Sequence, residues 1–244
     1  MNVLLNERIK CSDCPIRHRA VCARCDDDEL QTLEGMKSYR TYAAGETILW
    51  YGDELRFVSS IVNGVATLSR TMEDGRTQLV GLLLPSDFIG RPGRETIEFD
   101  VTATTDVTLC SFERRPFERL VAETPHVSQR LLEMALDELD AAREWMILLG
   151  RKTAREKIAS FVQLLVRRSQ LPGVDGVHQA LALPMTQDEI GNYVGLTLET
   201  VSRQLSALKR EGIIRFVDRR HFEVLDLAAL QSATGDDADG GVLS

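Results

Sequence analysis

The sequence contains no long hydrophobic run. No apolar stretch in its 244 residues approaches the roughly 18 residues that a membrane-spanning helix needs. The first ten residues, MNVLLNERIK, also lack the apolar stretch of a secretory signal. We therefore expect a cytoplasmic protein with no membrane association.

Recognisable catalytic groupings are missing as well. The sequence shows no paired carboxylates, no nucleophile with a matching base and no phosphate-binding loop, and RPGRE at 91–95 is interpreted as a turn. These absences favour a binding or regulatory protein over an enzyme.

Cysteine is scarce and unevenly placed. Four of the five cysteines lie in the stretch KCSDCPIRHRAVCARC, and the fifth stands alone much later in the chain. Because thiols stay reduced in the cytoplasm, clustered cysteines there indicate a metal site or redox chemistry and not disulfides. The cluster consists of Cys11, Cys14, Cys22 and Cys25, and the isolated residue is Cys110.

The spacing of the clustered cysteines is compatible with several kinds of metal or redox site. Two C-x2-C pairs could bind one Zn²⁺ without Cys110, although the seven residues between the pairs are fewer than in usual zinc ribbons. Iron–sulfur ligation, thiol–disulfide sensing and no cofactor are the alternatives. His18 lies in the same loop and is interpreted as a solvated histidine beside Arg17 and Arg19.

Charge is unevenly distributed along the chain. Residues 1–150 carry 17 Lys and Arg against 25 Asp and Glu, a net charge of −8, whereas residues 151–225 carry 12 against 8, a net charge of +4. A basic segment behind an acidic one is typical of a sensor joined to a module that binds a polyanion.

Local patterns predict an α+β chain. Between residues 39 and 112, short β-rich runs alternate with turn signals, which indicates an antiparallel β-barrel with Cys110 in a late strand. The predicted parts are a cysteine-rich segment at 1–30, a β-barrel sensor domain at 31–124, a dimerisation helix at 125–150, a winged helix-turn-helix at 151–231 and a disordered tail at 232–244.

The helix predicted at 125–150 carries two apolar stripes. One follows the 3–4 spacing of a coiled-coil seam over three heptads, which predicts a homodimer. Burial of both stripes within the same chain is the alternative. The seam consists of Leu132, Ala135, Leu139, Ala142, Met146 and Leu149, and the second stripe of Leu131, Met134, Trp145 and Leu148.

Residues 186–208 have the pattern of a helix-turn-helix. Thr186 and Glu189 are spaced as a capping box, Gly195 suits a turn with positive φ, and Thr197 can cap the second helix. The following stretch, GIIRFVDRRHFEVL, alternates like a hairpin. Its tip offers three candidates for phosphate contacts, Arg219, Arg220 and His221.

Three side chains of the second helix are placed to enter a major groove: Glu199, Ser202 and Arg203. Arg203 can donate two hydrogen bonds to guanine, and Glu199 can accept one from the cytosine amine, so together they could read one G·C pair. The alternative is an ordinary i, i+4 ion pair between Glu199 and Arg203.

In combination, the barrel, the long helix and the winged helix-turn-helix resemble the cyclic-AMP receptor protein and FNR superfamily of bacterial transcription regulators over nearly the whole chain. The stretch IGNYVGLTLETVSR is similar to the signature of the FNR branch, and WMILLGRKTAREKIASF resembles its hinge. That branch reads TTGAT half-sites through a Glu-x-x-Ser-Arg set, which Glu199, Ser202 and Arg203 match. The resemblance implies double-stranded DNA as a partner, and RNA polymerase contacts through loops at 73–76 and 87–94.

Cyclic-nucleotide binders of this superfamily carry a Gly-Glu pair and an Arg-Ser or Arg-Thr pair. Here Gly90 is followed by Arg91, and Phe99-Asp100 takes the place of the second pair. Because an aspartate would repel a cyclic phosphate, we expect no cyclic nucleotide.

FNR proteins hold an oxygen-labile 4Fe–4S cluster with three N-terminal cysteines and one cysteine from the barrel. The C-x2-C-x7-C spacing resembles an alphaproteobacterial variant of the more familiar C-x2-C-x5-C. The resemblance therefore implies Cys11, Cys14, Cys22 and Cys110 as ligands. Cys25 is then a spare thiol, and its use in place of Cys22 stays open.

The same resemblance implies an oxygen-responsive activator of anaerobic genes, in which the cluster stabilises the DNA-binding homodimer. Acidic residues on the dimer helix would make that dimer marginal, although the family's aspartate at this helix aligns with Arg143. A zinc- or thiol-dependent regulator of the same superfamily is the alternative. The acidic residues are Asp137, Glu138, Asp140 and Glu144.

Overall fold

The computed structural model describes residues 10–169 and 180–236. These residues group into two compact units, one that extends to Leu136 and one that begins at Asp137. Across the described ranges, no helix is both long enough and apolar enough to cross a bilayer.

Two antiparallel sheets form the centre of the first unit. Their strands are β1 (Ser38–Tyr42), β2 (Thr47–Leu49), β3 (Phe57–Asn63), β4 (Ala66–Thr71), β5 (Thr77–Leu83), β6 (Phe88–Ile89), β7 (Asp100–Ala103) and β8 (Val107–Glu113). One sheet has the order β1-β8-β3-β6 and the other the order β2-β7-β4-β5. The predicted antiparallel β domain is confirmed.

The core of this domain lies between the two sheets, and the central strands β3 and β8 are buried at nearly every position. Ile61 of β3, Val101 of β7 and Leu109 of β8 belong to one buried apolar cluster. Two sheets that face each other bury such residues between them. This packing fixes the register of β8, and with it the position of Cys110.

Three helices accompany the sheets: α1 (Asp27–Met36), α2 (Arg114–Glu123) and α3 (Pro125–Arg151). The side chain of Asp26 accepts a hydrogen bond from the Glu29 backbone and the Glu29 side chain accepts one from the Asp26 backbone, which forms a capping box at the start of α1. The bounds of α3 agree with the helix predicted at 125–150.

The second unit contains the winged helix-turn-helix that the sequence predicts. Its helices are α4 (Ala154–Ser169), α5 (Gln187–Val194), α6 (Leu198–Arg210) and α7 (Leu227–Ala233), and its strands are β9 (Leu181–Ala182), β10 (Ile214–Phe216) and β11 (His221–Val224). The three strands pair antiparallel in the order β10-β11-β9.

The disordered tail predicted at 232–244 begins too early. α7 packs against α4 and continues to Ala233, and Thr234 is fully buried. Asp236 then accepts a hydrogen bond from Lys152 at 2.6 Å. These contacts order residues 232–236. Residues 237–244 lie outside the described residues, as does the loop or hairpin predicted at 171–179.

The two stripes of α3 have different surroundings. In the second stripe, Leu131 and Met134 pack on the core of the first unit, Trp145 stacks on Tyr193 with ring centroids 4.0 Å apart, and Leu148 is buried. All six seam residues are exposed, and Met146 reaches 66%. The seam is therefore an apolar stripe that residues 10–169 and 180–236 leave uncovered.

Candidate metal centre and nucleic-acid interface

The cysteine segment forms a compact loop that closes on itself. The guanidinium of Arg17 donates to the carbonyl oxygens of Cys22 at 2.5 Å and Cys25 at 2.8 Å. Ile16 and Ala20 are buried against Val62 of β3. Sequence reasoning gave Arg17 no role, because no spacing rule links a guanidinium to carbonyls five and eight residues later.

Cys110 lies near the middle of β8, opposite Tyr39 of β1 and Ser60 of β3. Its side chain packs in the cluster that contains Cys14 and Cys22. The Cys110 thiol interacts electrostatically with three thiols of the N-terminal loop, those of Cys11, Cys14 and Cys22. The fold therefore brings together the four residues predicted as ligands.

The thiol of Cys25 has a different electrostatic environment. The one cysteine among the main electrostatic influences on its thiol is Cys22, and the others are Glu29, Arg17 and Asp26. Its side chain is buried in an apolar cluster that also contains Cys11 and residues of α1, and Cys22 and Cys110 pack against the same cluster. That Cys25 is a spare thiol therefore stays a prediction.

Burial determines the protonation of these thiols. It raises the pKa of Cys22 to about 11 and that of Cys110 to about 12, and it also raises the pKa of Cys11. A thiol with such a pKa is protonated at neutral pH and is a poor nucleophile, which disfavours thiol–disulfide sensing by the metal-free protein. A metal bound here would displace protons from the thiols.

The sulfur positions differ from those of a preformed zinc site. In a tetrahedral site with Zn–S bonds of about 2.3 Å, the sulfurs lie about 3.8 Å apart. Within residues 10–169 and 180–236, no three cysteine sulfurs lie within 4.8 Å of one another; the potential ligand atoms that do so belong to Asp26, Glu29 and His126. Four soft sulfur donors are, by their chemistry, a ligand set that suits a cluster of iron and sulfide atoms.

Local chemistry positions the helix-turn-helix. Thr186 and Glu189 form the predicted capping box, with the Glu189 carboxylate accepting the Thr186 N–H at 2.7 Å. Gly195 ends α5 at a φ of 67°, in the left-handed region. Sequence reasoning missed Gly191, where an added Cβ would lie 2.6 Å from the Leu196 carbonyl oxygen. A glycine inside a helical pattern was the available signal.

The second helix presents the predicted recognition residues. The hydroxyl of Thr197 caps α6, and a buried apolar face made by Val201, Leu205 and Leu208 fixes its rotation. Glu199 and Arg203 are exposed and Ser202 is half-buried. Their i, i+3, i+4 spacing places all three on one face near the helix N-terminus.

Glu199 and Arg203 have separate partners. Arg203 Nη2 donates to Thr200 Oγ1 at 3.4 Å, and no ion pair within the described residues joins Arg203 to Glu199. The pKa of Glu199 lies below its ordinary value, because its own backbone N–H and the Thr197 hydroxyl donate to the carboxylate. Glu199 is therefore an ionised acceptor, as reading a cytosine amine requires.

The wing is the hairpin of β10 and β11. At its tip the Asp218 carboxylate accepts from the backbone N–H groups of Arg220 at 2.7 Å and His221 at 2.8 Å. Arg219, Arg220 and His221 are exposed there, as phosphate contacts require.

Comparison with known proteins agrees with this architecture. Residues 39–124 match the cyclic nucleotide-binding domain, and residues 127–233 match the Crp-like helix-turn-helix domain. The transcriptional activator protein FnrL of Cereibacter sphaeroides is 61% identical over 236 residues, which cover 96% of this chain and 95% of FnrL. This chain belongs to the CRP/FNR family.

Other members of the CRP/FNR family are also similar. The nitrogen fixation regulation protein FixK of Bradyrhizobium diazoefficiens is 39% identical over 85% of this chain and 86% of its own length. The structure of FixK2 from Bradyrhizobium japonicum superposes with a TM-score of 0.73 at 31% identity and covers 81% of this chain and 96% of FixK2. The CRP/FNR protein described here is thus a DNA-binding transcription regulator.

Proposed function

We propose that this CRP/FNR protein is an oxygen-responsive activator of anaerobic genes that uses a 4Fe–4S cluster to control homodimerisation and binding to a TTGAT-type palindrome. The observation that carries the proposal is the position of Cys110. It lies in β8, and its thiol interacts with those of Cys11, Cys14 and Cys22. When bound, the cluster supplies a redox centre that oxygen can attack.

The proposed ligands come from two remote parts of the chain. Three belong to the N-terminal loop and the fourth to a central strand of its sheet. Ligation by all four would therefore fix the loop on β8. Without ligation, the loop would depend on weaker contacts: apolar ones such as those of Ile16 and Ala20 with Val62, and polar ones between residues 19 and 24 and α3.

The exposed seam of α3 supports the homodimer. A second copy of α3 would cover Leu132, Leu139 and Met146, which are 61%, 45% and 66% exposed in the single chain. The alanines at 135 and 142 add little buried area, so the dimer would have low stability. A small change, such as loss of the cluster, could then shift the monomer–dimer equilibrium. Dimerisation would place the two α6 helices about one DNA turn, roughly 34 Å, apart.

The β domain supports the proposal that no cyclic nucleotide binds. The Asp100 carboxylate accepts the Tyr51 N–H at 2.8 Å, at a position where cyclic-nucleotide binders place a residue that contacts the phosphate. Gly90 is followed by the exposed Arg91. We assign the RNA polymerase contacts to 73–76, an exposed turn between β4 and β5, and to 87–94.

Purification without air, followed by iron, sulfide and visible absorption measurements, tests the cofactor. We expect about four iron and four sulfide per chain, lost on exposure to air together with the dimer and specific DNA binding. Cys110→Ser should abolish the cluster, and Cys25→Ser is the matched control that should keep it. Zinc that survives in Cys110→Ser would contradict the proposal and indicate a Cys11, Cys14, Cys22 and Cys25 site.

A further inference from the structure

The cysteine loop also makes polar contacts with the long helix α3. Arg24 Nη2 and Nε contact the two carboxylate oxygens of Glu133 at 2.7 and 3.0 Å, which is a bidentate pair. Arg130 Nη1 donates to Glu133 Oε2 at 3.3 Å, and Arg130 Nη2 donates to the Arg19 carbonyl oxygen at 2.7 Å. Residues 19 and 24 are thus joined to one turn of α3.

We propose that Glu133 is a positioning residue that couples the cysteine loop to the dimer seam through Arg24. The inference deepens the proposed function and depends on it, because ligation of the thiols is what would hold the loop in place.

The position of each partner supports this coupling. Arg24 follows the proposed ligand Cys22 by two residues, so it moves with the loop. Glu133 follows the exposed seam residue Leu132 directly and lies about 100° further round the helix, so its charge is one residue away from the surface that a second α3 would cover. A displacement of the loop therefore changes the charge beside the seam.

The charge balance gives the direction of the effect. With the loop in place, Arg24, Arg130 and Glu133 together carry a net charge of +1; when Arg24 leaves, the remaining pair is neutral. The same helix continues with Asp137 and Asp140. Loss of a positive charge beside these carboxylates increases the repulsion between two α3 helices.

An exposed ion pair alone contributes little to stability, which makes a purely structural role for Arg24 weak. This pair is bidentate, and the Arg130 side chain that completes the network is 19% exposed and also holds the loop backbone. The main effect of this network is therefore to make the charge beside the seam depend on the position of the loop. Its contribution to the stability of the chain is smaller.

Sedimentation equilibrium without air, on iron-loaded and metal-free protein, tests the coupling. Arg24→Ala should keep its iron and sulfide yet weaken the iron-loaded dimer about fivefold, and it should leave the metal-free protein unchanged. Glu133→Gln should strengthen association of the metal-free protein and should not weaken the loaded dimer, because it removes a negative charge beside the seam. A weaker dimer only in loaded Arg24→Ala, together with a stronger one in metal-free Glu133→Gln, would not result from a general loss of stability.

Two further variants complete the experiment. Arg56→Ala removes an arginine from an exposed pair with Glu54 at 3.0 Å, and it should change neither form. The exchange Arg24→Glu with Glu133→Arg should restore the loaded dimer. A loaded Arg24→Ala dimer as tight as the wild type, or equal weakening of both forms, would overturn the inference alone, whereas wild-type protein without iron would overturn the proposed function as well.

Discussion

The ammonium nitrogen of Lys37 lies 3.5 Å from the sulfur of Cys11. The Lys37 side chain is 7% exposed, so solvent screens the attraction between its charge and the sulfur only weakly. Burial raises the pKa of the Cys11 thiol, and Lys37 opposes that shift by attraction and by its hydrogen bond. Lys37 therefore favours the thiolate form that a metal requires.

Lys37→Met should weaken metal retention without removing a ligand. A charge-assisted hydrogen bond to a thiolate is lost, so we expect iron to pass to a chelator about ten times faster, in the absence of air. The measurement is the decay of cluster absorption after addition of the chelator. Lys37→Arg, which keeps the charge, should retain most of the wild-type stability; equal decay rates in wild type and Lys37→Met would show that Lys37 has no such role.

The helix-turn-helix was predictable from the sequence because local chemistry determines it. The capping box of Thr186 and Glu189 and the left-handed Gly195 each act within a few residues. The helix α2 was missed: it contains Pro116, which interrupts the apolar pattern but is tolerated in the first turn of a helix. The Phe117 ring then stacks on Phe88 with centroids 5.6 Å apart.

The cysteine cluster alone indicated a metal or redox site, but Cys110 was predictable as a ligand only through a family resemblance. Cys110 lies 88 residues beyond Cys22, and no spacing rule brings a strand residue to a loop that far away. The pair of Arg24 and Glu133 spans 109 residues and has no periodic signature at all. Contacts of this kind depend on the register of β8 and on the packing of α3, which the fold alone supplies.

Arg203→Ala should reduce discrimination at the G·C pair of the half-site. Loss of a bidentate contact to guanine weakens binding to the correct half-site by about 1–3 kcal/mol. Binding to a half-site with another base at that position should change little. Titrations of DNA that carries the TTGAT palindrome, and of variants at each position, measure the effect. Arg220→Ala, at the wing tip, should weaken all sequences alike and lower the salt dependence. A uniform loss with Arg203→Ala would contradict base reading by this residue.

Leu139→Glu should prevent dimerisation. Leu139 is 45% exposed in the middle of the seam, so a second α3 would bury two opposed carboxylates there. We expect the dimer of the iron-loaded protein to weaken about 100-fold or more, measured by sedimentation. Ile147→Glu is the matched control: Ile147 is 57% exposed and directly follows the seam residue Met146, as Glu133 follows Leu132, so a charge there should weaken the dimer by no more than about fivefold. Similar loss in both variants would argue against the seam.

Glu118 gives the first unit a stability that depends on pH. Its carboxylate accepts from the Gly93 N–H at 2.9 Å and from Arg114 Nη1 at 3.1 Å. The backbone N–H of Gly93, followed by the side-chain hydrogen bond of Arg114, holds the pKa of Glu118 below its ordinary value. A lowered pKa in the folded state contributes stability above the unfolded pKa of about 4.3, and that contribution is lost as the pH falls through the folded value.

Glu118→Gln should therefore lower the free energy of unfolding by about 1 kcal/mol at neutral pH, because Arg114 is buried and loses a charged partner. The difference from the wild type should shrink as the pH falls below about 4. Urea unfolding of the metal-free protein at several pH values measures it. Glu54→Gln is the control, since both members of the Glu54 and Arg56 pair are exposed and its removal should cost little at any pH. If the free energy of unfolding of Glu118→Gln stayed equally far below that of the wild type at acidic pH, the charge of the carboxylate would not contribute to stability.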